Sequence, residues 1–130
     1  MTTYHSELAD SFSVAVKTNY LAEQSDSDKK QYVFSYTISI TNKGPESAQL
    51  MARRWIITDA EGQQSIVEGE GVVGKQPTIN PGETYTYTSG SVFNTPVGTM
   101  HGHYQMFDKN KHSFWVEIPV FRLALPNILN

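Results

Sequence analysis

Between Tyr32 and Thr41 the chain alternates without a break. Tyr32, Phe34, Tyr36, Ile38 and Ile40 fall on one side, and Val33, Ser35, Thr37, Ser39 and Thr41 on the other. A repeat of two sustained over this length cannot be laid onto a helix, whose repeat is 3.6. One side is bulky and apolar and the other mostly small and hydroxylated, so the segment is an antiparallel strand with one dry face. The fold must supply a second layer to cover that face.

The rest of the chain offers strands of the same kind. Phe12, Val14 and Val16 alternate, followed by a charged loop, Glu23 to Lys30. Asn42 to Pro45 reads as a turn. In Leu50 to Thr58 both faces carry bulk: Leu50 and Ile56 on one, Met51, Trp55 and Ile57 on the other, which predicts a central strand with Trp55 facing inward. Asp59 to Gly62 is a hairpin turn, with a short return strand from Gln63 to Glu68. Asn80-Pro81-Gly82-Glu83 has the proline and glycine of a type II turn. Thr84 to Thr88 puts Tyr85 and Tyr87 on one face, and Ser89 to Thr95 reads as irregular. In Thr99 to Phe107, Met100, Tyr104 and Met106 share one face and His101, His103 and Gln105 the other. Phe114, Val116, Ile118 and Val120 form the last core face. Pairing Met106 with Phe114 leaves Lys109 to Lys111 as the loop, with Asn110 or Lys111 in the left-handed conformation, and sets His103 opposite Glu117. Seven to eight such strands with no amphipathic helix specify an all-β antiparallel sandwich of the immunoglobulin-like or fibronectin type III-like kind.

Length and composition narrow the function. The 130 residues suit one domain, read as a loose arm at 1–10, a sandwich at 11–126 and a tail at 127–130. The arm lacks the basic and apolar regions of a signal peptide. There is no cysteine, which removes an antibody-type disulfide, a cysteine-ligated metal and a thiol nucleophile. A reducing, cytoplasmic setting fits that composition. The net charge of −3 argues against nonspecific nucleic-acid binding, which needs a basic face. No apolar run is long enough to span a membrane.

Three groups of residues are candidate sites. Gly69-Glu70-Gly71-Val72-Val73-Gly74-Lys75 has the glycine spacing of a phosphate loop, making Gly69, Gly71, Gly74 and Lys75 candidate anion ligands. The helix such a loop needs is forbidden by Pro77 and Pro81, and Glu68 and Glu70 repel phosphate. A bulged connection exploiting glycine φ values is the favoured reading. His101 and His103 leave one strand face together near Glu117, but a metal needs a third fixed ligand. A solvated polar face is favoured there, with no metal and no cofactor. Arg53 and Arg54 flank Trp55, and on an outward face Arg53 and Trp55 would suit a partner interface. Arg122 either anchors the C-terminal segment or lines a pocket beside the glycine loop. No nucleophile elbow, zinc-protease motif or paired carboxylates are present, so the chain is read as a non-enzyme.

Several words of the sequence resemble the bacterial ApaG family. They are Tyr32-Val-Phe-Ser-Tyr-Thr-Ile38, Arg53-Arg-Trp-Ile-Ile-Thr58, Gly69-Glu-Gly-Val-Val-Gly-Lys-Gln-Pro77, Gly82-Glu-Thr-Tyr-Thr-Tyr-Thr-Ser-Gly90, Thr95-Pro-Val-Gly-Thr-Met100, Gly102-His-Tyr104 and Ile118-Pro-Val-Phe-Arg-Leu-Ala124. They occur in the family's order and spacing, and the resemblance covers the chain from about Phe12 to Pro126. The resemblance implies a fibronectin type III-like sandwich and an ill-defined function. The family is similar to CorD, a name linked to cobalt resistance and magnesium efflux. Related domains in F-box proteins and in a polymerase-delta-interacting protein look like protein-binding modules, and no catalytic residues carry over. The expected function is protein binding, with nucleotide or pyrophosphate binding at Gly69–Gly74 as the alternative. An open sheet edge would also admit a second copy of the chain.

Overall fold

The computed structural model describes residues 8–127. Eight strands run in order: β1 Phe12–Tyr20, β2 Tyr32–Asn42, β3 Ala48–Asp59, β4 Gln64–Glu70, β5 Thr78–Ile79, β6 Thr84–Phe93, β7 Val97–Asp108 and β8 Ser113–Ala124. They form two antiparallel sheets, β1-β2-β6 and β4-β3-β7-β8, with β5 pairing β3. The dry face of β2 packs onto the inner face of the larger sheet. Phe34, Ile38 and Ile40 are buried with Leu50, Tyr104, Met106, Phe114 and Ile118 in one core. Among the described residues no helix is long and apolar enough to cross a membrane.

The turns follow the residues that demand them. Gly62 and Gly82 take φ of 85° and 83°, and Glu83 N–H closes its turn on Asn80 O at 2.9 Å. The β7–β8 register pairs Met106 with Phe114 and His103 with Glu117, and Lys111 is left-handed with φ of 65°. On the wet face of the small sheet, Thr37, Ser39 and Thr41 each meet a threonine hydroxyl of β6 at 2.8 to 3.0 Å.

Four expectations need correction. Leu50 and Trp55 were placed on opposite faces, yet both are buried. The β3–β7 register slips between Leu50 and Ala52, so Met51 is an extra residue and the two halves of β3 alternate out of phase. Val120 was given to the core but is 65% exposed. Pro119 cannot donate to the ladder, the β7–β8 register shifts across it, and Phe121 and Leu123 turn inward instead. Ser89 to Phe93 was read as irregular but continues β6, because β2 offers a paired backbone along its whole length. Finally, the last part of the N-terminal arm is not loose: Leu8 is buried in the core and accepts the Ser11 N–H at 3.1 Å. Residues 1–7 of that arm and 128–130 of the tail lie outside the described residues.

Asn42 ties the end of β2 to the β5 region. Its amide donates to Glu46 O at 2.7 Å and Ile79 O at 2.9 Å, and its side-chain oxygen accepts the Gly44 N–H at 2.9 Å. The residue is fully buried, so truncation leaves those groups dry and unpaired. Asn42→Ala is expected to cost about 2–3 kcal/mol, read as a lower urea midpoint with an unchanged slope. An unchanged midpoint would refute this account of the residue.

Candidate functional site

The glycine segment folds as a small hairpin laid against β3. Val72 and Lys75 exchange backbone hydrogen bonds, Val72 N–H to Lys75 O at 2.8 Å and Lys75 N–H to Val72 O at 3.0 Å. Val73 and Gly74 between them have φ of 47° and 77°, the left-handed pair that a two-residue hairpin turn requires. Gly71 N–H donates to Met51 O at 2.8 Å, at the β3 bulge. Three amides of the loop are thus committed to the chain's own backbone. The three glycines serve different ends. Gly74 permits the turn. Gly71 combines φ of 65° with a Lys75 carbonyl that would stand 2.4 Å from an added Cβ. Gly69 makes room for the Arg53 guanidinium, whose Nη1 would lie 2.7 Å from a Cβ there.

Arg53 was expected on an outward face; it lies two residues before buried Trp55 with no register shift between them, so it shares the inward side of β3. It is half-buried, and its Nη1 donates to Glu70 O at 3.1 Å and Gly71 O at 3.0 Å. No carboxylate among the described residues forms an ion pair with it. It stands in a cleft of about 270 Å³ between the hairpin and β6, also lined by Tyr36, Trp55, Tyr87 and Ser89. The Tyr36 and Trp55 rings meet edge to face at 5.4 Å. Tyr87 and Tyr104 share a buried hydroxyl–hydroxyl contact of 2.5 Å. Burial raises the pKa of Tyr36, Tyr87 and Tyr104, while the Arg53 charge pulls all three down.

On the opposite, outer face of the larger sheet stands Trp115, 54% exposed. Its ring packs on that of His103, 4.4 Å between centroids at 74°. Arg54 and Glu68 form an ion pair at 3.0 Å beside it, and with Gln105 they line a shallow depression of about 310 Å³.

The sequence candidates are therefore dispersed. Trp55 is buried, not a surface residue. Lys75 gives its backbone to the turn and its side chain is exposed. Arg122 sits on β8 opposite Thr99, five residues along β7 from Tyr104, the partner of Arg53. At about 3.4 Å per residue this is roughly 17 Å from the glycine hairpin, so Arg122 does not line a pocket beside it. His101 and His103 leave the same face of β7, and no group of three metal-ligating side chains is found among the described residues. Sequence reasoning missed Trp115 as a surface residue, although its place next to inward Phe114 was enough to turn it outward.

A family model described as the ApaG domain matches residues 22–108. Protein ApaG of Vibrio cholerae serotype O1 is 51% identical over 117 residues, 90% of this chain and 93% of that protein. A crystal structure described as the ApaA protein from Bordetella pertussis superposes with a TM-score of 0.87 at 49% identity, covering 90% of this chain and 95% of that one. A segment of Bacteroides uniformis beta-glucuronidase 2 shares the fold alone, at 17% identity and a TM-score of 0.51 over 86% of this chain and 13% of that one.

Proposed function

The chain belongs to the ApaG domain family, and from that premise we propose that it is a non-enzymatic protein-binding module whose contact surface is the outer face of β3, β7 and β8. The observation that carries this reading is Trp115, more than half exposed yet held in place by His103. Tryptophan and arginine dominate interface hot spots. An aromatic ring already fixed loses little conformational freedom on binding. Arg54, Glu68 and Gln105 around it supply the polar rim that such anchors ordinarily have. In this reading the cobalt and magnesium link of the family is indirect, a consequence of whichever protein is held.

Quantitative affinity capture from native lysate tests the proposal, with wild type, Trp115→Ala and Val120→Ser compared side by side. Val120 is an even more exposed apolar residue on β8, so it controls for general stickiness. Loss of the Trp115 anchor is expected to weaken the captured complex by about 30-fold, the effect of roughly 2 kcal/mol at a hot spot. Val120→Ser should retain it. Equal recovery by wild type and Trp115→Ala, or no enrichment by wild type, would overturn the reading.

A further inference from the structure

The cleft beneath the glycine hairpin lies on the inner side of the larger sheet, and Arg53, which also borders the depression beside Trp115, is its charged anchor. A guanidinium carries five N–H donors on a rigid fork. In Arg53 the Nη1 group holds two carbonyls of the hairpin, Glu70 O and Gly71 O, which leaves the Nε and Nη2 donors of the fork without a hydrogen-bond partner among the described residues. Holding a cation half out of water is costly unless an anion compensates it, and no carboxylate forms an ion pair with Arg53 among those residues. The surroundings are otherwise those of a small-molecule site: aromatic rings from Tyr36, Trp55 and Tyr87, and the hydroxyl of Ser89. Ser89 stands directly opposite Tyr36 in the β2–β6 ladder, so the two form one wall. Room for the guanidinium exists only because position 69 is glycine.

Glu70 gives the cleft its backbone carbonyl, while its side chain, opposite Ala52, shares the outer face with Glu68. One guanidinium with no carboxylate beside it is balanced by a single negative charge, which favours a carboxylate over the two or more charges of a phosphate monoester or pyrophosphate. We propose that this cleft binds a carboxylate carried on an aromatic or aliphatic body, with the free edge of the Arg53 guanidinium as anchor and the Tyr36, Trp55 and Tyr87 rings as the apolar bed. The carboxylate is either that of a free organic acid or the end of a peptide chain, since both present the same planar group to the fork.

Isotope-edited NMR titration of the full chain decides it, using N-acetylphenylalanine, N-acetylphenylalaninamide, hydrocinnamate and phenyl phosphate up to tens of millimolar. The two carboxylates are expected to bind with Kd of about 1 mM or tighter, moving the amides of Val73, Gly74 and Ser89 and the Arg53 Nε–H. The capped amide should bind at least about tenfold more weakly, the usual worth of a charge-assisted contact. Tighter binding of N-acetylphenylalanine than of hydrocinnamate assigns the site to a chain end, and the reverse to a free acid. Arg53→Lys should weaken the carboxylates about tenfold, because an ammonium cannot reproduce the fork. If that variant unfolds, the acid-against-amide comparison in wild type still decides. No shifts with either carboxylate, equal affinity for acid and amide, or phenyl phosphate binding tighter than both acids would each overturn the proposal.

Discussion

Gly102→Ala should cost the domain about 3 kcal/mol or more, the largest effect expected of any single methyl group in the chain. Gly102 lies mid-strand on β7, opposite Trp55 of β3 and Ile118 of β8. A Cβ there would stand 1.9 Å from the Arg54 carbonyl oxygen and 3.2 Å from the Trp55 Cα. These are backbone atoms of the neighbouring strand, so no rotamer change relieves the clash and the β3–β7 ladder itself must open. The melting temperature should fall by roughly 10 °C or more. Gly62→Ala is the comparison. It has φ of 85° but nothing within 4 Å of its would-be Cβ, so it bears conformational strain without a clash and should cost only about 1 kcal/mol. Equal losses for the two variants would show that strand packing at Gly102 is looser than described.

Alkaline solution should unfold the protein through its buried phenols. Tyr36, Tyr87 and Tyr104 are pushed upward chiefly by burial, so each releases its proton more readily in the unfolded chain, at about pH 10. The sign follows from linkage. Above that pH the unfolded state binds fewer protons than the native state, so stability falls as pH rises. The contribution of the neutral phenols is fully present below about pH 10 and is lost progressively from there toward their folded pKa values. At about pH 11 the loss is about 1.4 kcal/mol for each of Tyr87 and Tyr104, or about 3 kcal/mol for the two, with Tyr36 acting in the same direction, a large share of the 5–15 kcal/mol typical of a domain. Phenolate absorbance and circular dichroism followed together should show the buried tyrosines ionising only as the sheet signal disappears. Tyr104→Phe removes one of the three and should shift the alkaline transition upward relative to its own neutral-pH stability. Ionisation of all seven tyrosines near pH 10 with the sheets intact would contradict the burial described.

Most of the architecture was legible because its signals are local. The alternation in β2, the turn residues at Gly62 and Gly82 and the β7–β8 register are each set by neighbours a few positions apart. Two of the misreadings share one cause. Strict alternation was carried across Met51 and across Pro119, and at both places the ladder takes in an extra residue. Nothing about methionine announces a bulge, so the one at Met51 was invisible. Proline removes a donor, so the one at Pro119 could have been inferred and Val120 turned outward. Arg53 was assigned outward as an arginine although it shares a face with Trp55, which hid its meeting with Gly69 and the tyrosines. That meeting depends on residues from β2, β3, β6 and the hairpin, and no spacing rule within one strand reports it. The glycine spacing was noticed for a phosphate loop's reasons, whereas in the fold one glycine seats an arginine and two shape a turn.

Met51 can be seen as a frameshift written into a strand. Upstream of it the even positions of β3 face the core, and downstream the odd ones do. Deleting almost any residue from a strand scrambles every side chain beyond the cut, but removing this one would leave Leu50, Arg53 and Trp55 all facing as they do now. What the extra residue adds is a carbonyl that belongs to neither half: it accepts from Gly71 N–H at 2.8 Å and from the Gln76 amide at 3.0 Å. The insertion is therefore neutral to the sandwich and specific to the hairpin. An ancestral sandwich that acquired it would have gained a mooring for a new loop without rewriting its core.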